Sequence, residues 1–135
     1  MNTDAARSAT FLRRALLADA AISGAAGLVC VLGAGTLGGL LHMPEPLLRY
    51  AGIALLPFTA FVLWVATRDR PARAAVWAVI VCNAAWAADS VLLLLSGWID
   101  PSALGLVFIA VQAAAVAVFA ELQYVGLRRA VVAAA

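Results

Sequence analysis

The 135-residue chain has no lysine, one histidine and two cysteines, and charged residues make up only 12% of it. Each shortage excludes something. Nine arginines against seven acids leave a net charge of +2, with no dispersed basic face to grip a phosphate backbone, so nucleic acid is excluded as a partner. Cys30 and Cys82 each lie inside an apolar stretch, where their spacing suits neither a zinc site nor a disulfide framework. Both read as small apolar core residues. His42 has only Met43, Glu45 and, across the chain, Asp100 for company, and no two of these show a metal-ligand spacing. A nucleophile paired with a base, a phosphate loop, a haem attachment motif and a retinal-binding lysine are all missing. The expectation is a non-enzymatic protein without catalytic residues, metal or cofactor.

What is present is apolar: 66% of the residues and a mean hydropathy of +1.03. A water-soluble fold of this length has too little interior to hide that much apolar surface. The apolar residues fall into four stretches, about Leu17 to Leu41, Leu47 to Thr67, Ala72 to Leu95 and Ser102 to Val125. Each reaches the roughly 20 residues that a helix needs to cross a bilayer. Prolines and charges mark the joints at 42–46, 68–71 and 96–101, where helices stop and water is reached. The predicted fold is all-α, a single transmembrane domain over 1–135 built as a four-helix up-down bundle. Short joints make sequential helices antiparallel neighbours. Arg13 and Arg14 stand where a secretory signal would begin, but the apolar run behind them exceeds the core of a cleaved signal, so a retained first span is expected.

Orientation follows from the arginines. Arg7, Arg13, Arg14, Arg68, Arg70, Arg73, Arg128 and Arg129 fall on one side of a four-span chain and only Arg49 on the other. The positive-inside rule then puts both termini in the cytoplasm, in the inner membrane of a bacterium. Trp64, Trp77 and Tyr124 near the inner boundary, with Tyr50 and Trp98 near the outer one, give the same topology. An acid precedes proline at Glu45-Pro46 and again at Asp100-Pro101, each marking a helix start and hinting at two related hairpins. Small residues crowd the first span. Ser23 with Gly27, and Gly35 with Gly39, have the four-residue spacing of close helix contact, inside the bundle or in a homodimer.

Polar groups inside hydrocarbon need partners or purposes. Asn83 lies about 15 Å from Arg73 and Gln112 about 16 Å from Pro101, so both are expected near the midplane, hydrogen-bonded to each other or lining a cavity. Asn83, Trp86, Asp89 and Ser90 share one arc of their helix, the most polar face in the chain. Asp89 is the best candidate for proton coupling or ligand binding, with Arg49 as its expected ion-pair partner. Pro57 bends its helix near the midplane, with Thr59 placed to satisfy the freed carbonyl. Asp19 and Glu121 read as interfacial salt links to Arg14 and Arg128.

The run Asn83-Ala-Ala-Trp86-Ala-Ala-Asp89-Ser90, the joint Gly97-Trp98-Ile99-Asp100-Pro101 and the end Phe119-Ala-Glu121-Leu-Gln123 with Gly126-Leu-Arg128-Arg129 resemble an uncharacterised family of small four-span bacterial inner-membrane proteins. The resemblance covers the C-terminal half and implies no activity. Size and span count are also similar to those of small multidrug-resistance transporters. Those carry a glutamate in the middle of the first helix, where this chain has only Asp19. The leading expectation is an assembly, accessory or apolar-ligand-binding protein whose partners are membrane lipids and an apolar small molecule. The alternative is a small proton-coupled transporter working as a homodimer, with Asp89 as its titrating group.

Overall fold

The computed structural model describes residues 3–135, which form helices joined by short turns with no strand among them. Helix α1 (Thr3–Leu32) leads into the short α2 (Ala34–Leu41), followed by α3 (Glu45–Ala66), α4 (Arg73–Leu95) and α5 (Ala103–Ala134). All but α2 are long and apolar enough to cross a membrane. Their outward side chains fit that reading. Leu32 is 83% exposed and Leu95 79%, a surface that hydrocarbon accepts and water does not.

The first apolar stretch both extends and breaks differently from its sequence pattern. Helix α1 begins at Thr3 rather than near Leu17 because Arg7, Arg13 and Arg14 sit on its exposed side while Leu12, Ala15 and Leu16 are buried. An amphipathic turn continues a helix where a count of apolar residues stops it. The same stretch then bends at Gly33 (φ −108°, ψ 14°). A Cβ there would lie 2.9 Å from the Val29 carbonyl oxygen, so the bend needs glycine.

Helix α2 ends on His42, a left-handed cap at φ 50°, and the Met43 amide closes the turn on the Gly38 carbonyl at 3.1 Å. Ser102 then ties this end to the start of α5. Its hydroxyl donates to the Leu40 carbonyl at 2.9 Å, its amide donates to the Leu41 carbonyl at 3.0 Å, and its oxygen accepts from the Gly105 amide. Ser102, not Asp100-Pro101, is therefore the cap of α5. The two proline joints are structurally different, since Glu45 and Pro46 lie inside α3.

Helix α1 packs against α3 where two glycines face each other: a Cβ on Gly52 would come within 2.8 Å of the Gly27 carbonyl oxygen. It packs against α5 where Gly126 meets Leu12, and α4 packs against α5. Helices α3 and α4 are the exception among sequential neighbours. They meet near their shared joint, where Val62, Val65, Val76 and Val79 join Leu12, Leu16 and Leu127 in one core. Beyond it they part. A second core, of Leu41, Met43, Leu48, Ile99 and Ile109, closes the opposite end. Around the first core, Arg68 lies 4.5 Å from the Trp64 ring, Arg128 5.8 Å from Tyr124 and Arg129 5.3 Å from Phe11, so cation–π contacts hold these arginines to the apolar body.

Candidate functional site

Two polar clusters lie between the two cores, and both involve the α4 face read from sequence. The inner cluster is centred on Asp19, whose burial is complete. Its Oδ1 accepts from the Ser23 hydroxyl at 2.9 Å, and its Oδ2 accepts from Asn83 Nδ2 and Gln123 Nε2, each at 2.6 Å. Asn83 Nδ2 also donates to Gln123 Oε1 at 3.1 Å. The four residues link α1, α4 and α5. None of the three donors is charged, so the expected salt link from Asp19 to Arg14 is replaced by a ring of neutral donors. With α1 starting at Thr3, Asp19 is a mid-helix residue rather than an interfacial one.

The outer cluster joins Trp86, Ser90 and Gln112. Trp86 Nε1 donates to Gln112 Oε1 at 2.9 Å, Gln112 Nε2 donates to Ser90 Oγ at 2.8 Å, and the Ser90 hydroxyl donates to the Trp86 carbonyl at 2.8 Å. The expected Asn83–Gln112 hydrogen bond does not form. That pairing assumes that α4 and α5 start and end flush. Gln112 instead lies opposite Ser90, seven residues further along, an offset of about 10 Å. Gln112 and Gln123 are eleven residues apart, about three full turns, and thus share one stripe of α5. The α4 stripe Asn83, Trp86, Ser90 runs against it, with Gln123 at one end and Gln112 at the other.

The outer cluster forms one wall of a cavity of about 370 Å³ between the diverging halves of α3 and α4. Cys30 of α1, Leu48 and Ala54 of α3, Leu93 of α4 and Phe108 of α5 supply apolar walls, with Tyr50 and Asp89 among the lining residues. Asp89 and Tyr50 are exposed and mark the rim. The expected Arg49–Asp89 ion pair is absent. Arg49 pairs with Glu45 one turn away on its own helix, and Asp89 has no hydrogen-bond or ion-pair partner among the described residues. The separation of α3 from α4 that creates the cavity is what keeps the two apart.

Of the residues singled out from sequence, the structure brings Trp86, Asp89, Ser90 and Gln112 to the cavity. Asn83 belongs to the inner cluster, and Arg49 faces Glu45. Thr59 does not serve Pro57; its Oγ1 is buried without a hydrogen-bond partner among the described residues, and its methyl group lies against Gly24. Ser23 and Gly27 are used inside the chain. Gly39 has open space around it. Sequence reasoning missed the roles of Asp19 and Gln123. The signal available was the eleven-residue spacing of the two glutamines.

No family model, curated protein or solved structure matches this chain.

Proposed function

We propose that the chain is a multi-pass protein of the bacterial inner membrane, an up-down bundle with both termini cytoplasmic, that holds an apolar, lipid-like molecule in the α3/α4 cavity. It acts as a binding or accessory protein rather than an enzyme. The observation that carries this reading is the cavity itself, whose volume of about 370 Å³ falls in the range of small-molecule sites. Its walls are mostly apolar, and Trp86, Ser90 and Gln112 bond one another along one side. The cavity lies between α3 and α4, both long and apolar enough to span a bilayer, so an apolar molecule would reach it from hydrocarbon without crossing water.

Native mass spectrometry of the protein released from mild detergent tests this. The expected spectrum carries one retained apolar molecule per chain, lost in Ala54→Trp, which fills the cavity. Equal retention by both proteins, or by neither, would overturn it.

Proton-coupled transport by a homodimer is the second reading, favoured by one observation: Asp89 stands at the cavity rim without a partner among the described residues. Against it, the valine-rich core and the Asp19 ring pack the other half of the bundle. A pH-driven flux in proteoliposomes that Asp89→Asn abolishes would favour transport over static binding.

A further inference from the structure

The part of α1 that precedes its apolar core carries a basic groove, away from the cavity. Ala6, Arg7, Thr10, Phe11 and Arg14 lie on one side of the helix and line a depression of about 420 Å³. Neither arginine has an ion-pair partner among the described residues, and no acid lines the depression. Asp19, the acid expected to meet Arg14, is turned inward to its neutral donors. Asp4 lines a neighbouring depression instead. A third arginine, Arg129 of α5, lies 5.3 Å from the Phe11 ring. A phosphate group in this groove would meet forked guanidinium donors and no competing carboxylate.

The same side of α1 continues into hydrocarbon. Ala18, Ala21, Ala25, Val29 and Leu32 follow Arg14 at helical spacing and are all exposed, and α1 runs unbroken to Leu32. The three alanines leave a shallow track on the helix surface. From Arg14 to Ala25 this track covers about 16 Å, half of the roughly 30 Å hydrocarbon core and so the depth of one leaflet. Helical side chains lean toward the N-terminus, so Arg14 reaches away from the track toward the head-group layer. A soluble anion would use the arginines and leave the track empty. A zwitterionic lipid would use the track but bring a cation of its own to the arginines. We propose that α1 binds one anionic phospholipid of the surrounding leaflet, its phosphate between Arg7 and Arg14 and an acyl chain along the alanine track.

The probes are dioleoyl phosphatidylglycerol and dioleoyl phosphatidylcholine, which share acyl chains and differ in head-group charge. Both are added in equal amounts to the full chain in mild detergent. Native mass spectrometry identifies each adduct by mass and so counts it apart from any molecule held in the cavity. Phosphatidylglycerol is expected to be retained about tenfold over phosphatidylcholine. The double variant Arg7→Gln/Arg14→Gln should remove this preference, and Arg7→Lys/Arg14→Lys should keep most of it. The charge-matched control Arg70→Gln/Arg73→Gln, at exposed positions on another part of the chain, should leave it unchanged. Ala54→Trp should leave it unchanged as well, and free glycerophosphate should not displace the lipid. A parent chain without the preference, or a preference that survives Arg7→Gln/Arg14→Gln, overturns the site. Equal loss in the control overturns it in favour of net charge. Loss in Ala54→Trp places the lipid in the cavity, and displacement by glycerophosphate reduces the ligand to a soluble phosphate; either result overturns the proposal. None of these failures touches the cavity reading, which rests on a molecule lost in Ala54→Trp.

Discussion

Asp19 shows how much the identity of one side chain depends on its partners. Each of its hydrogen bonds comes from an uncharged donor, and two of them come from helices that are distant in sequence. Removing one donor leaves the rest of the ring with an unmet acceptor in a dry interior, which costs more than the bond was worth. Gln123→Leu and Asn83→Leu are each expected to lower stability by about 1–2 kcal/mol. Their double variant should fall short of the sum, because the hydrogen bond between Asn83 and Gln123 is lost in either single variant and cannot be lost twice. Chemical unfolding in detergent of the two single variants and the double variant measures this. Strict additivity would mean that the three side chains do not act as one unit. Asp89 lies only six residues from Asn83, yet its setting is the reverse: exposed, at a rim, with no donor among the described residues.

At the scale of helices, glycine decides which elements approach. Gly52 faces Gly27 so closely that a Cβ would press on the Gly27 carbonyl and on Cys30, a contact that only backbone-to-backbone packing permits. Gly39, one of the small residues of the first apolar stretch, has nothing within 4 Å. Gly52→Leu is expected to destabilise the fold by about 2 kcal/mol or more, and Gly39→Leu to change it by less than about 0.5 kcal/mol. Thermal unfolding combined with sedimentation in detergent checks both. If a second copy packs on the Gly35 and Gly39 surface, Gly39→Leu will separate the dimer while leaving the unfolding of each chain unaltered. The link made by Ser102 belongs to the same scale. It fastens the end of α2 to the start of α5, and Gly105 allows that approach because a Cβ there would collide with the Leu41 carbonyl.

For the whole molecule, the arginine and aromatic distribution predicts a sidedness that chemical labelling can test. In a background with both cysteines replaced by alanine, Ser96→Cys should react with an impermeant maleimide on intact cells, and Arg70→Cys only after lysis. Both positions are exposed. The reverse pattern would invert the orientation proposed here. The asymmetry of the interior is the other molecular feature. One half is filled by valine and leucine, and the other contains the cavity, because α3 and α4 touch at one end and part toward the other.

The four apolar helices were legible without coordinates, since bilayer-length runs interrupted by proline and arginine leave a chain few alternatives. The polar face of α4 was legible too, because helical periodicity places Asn83, Trp86 and Ser90 in one arc whatever surrounds them. Which partner each polar group takes was not. Flush helices would pair Asn83 with Gln112, and a short span would leave Asp19 at the boundary. The structure gives Asn83 to Asp19 and Gln123 because α5 is offset along α4 and α1 starts at Thr3, well before its apolar core near Leu17. Arg49 and Asp89 likewise face each other in a compact ring of helices and are separated once α3 leaves α4. The physical reason is common to all of these: composition and periodicity act within one helix, while axial offset and the distance between helices arise only when several pack together.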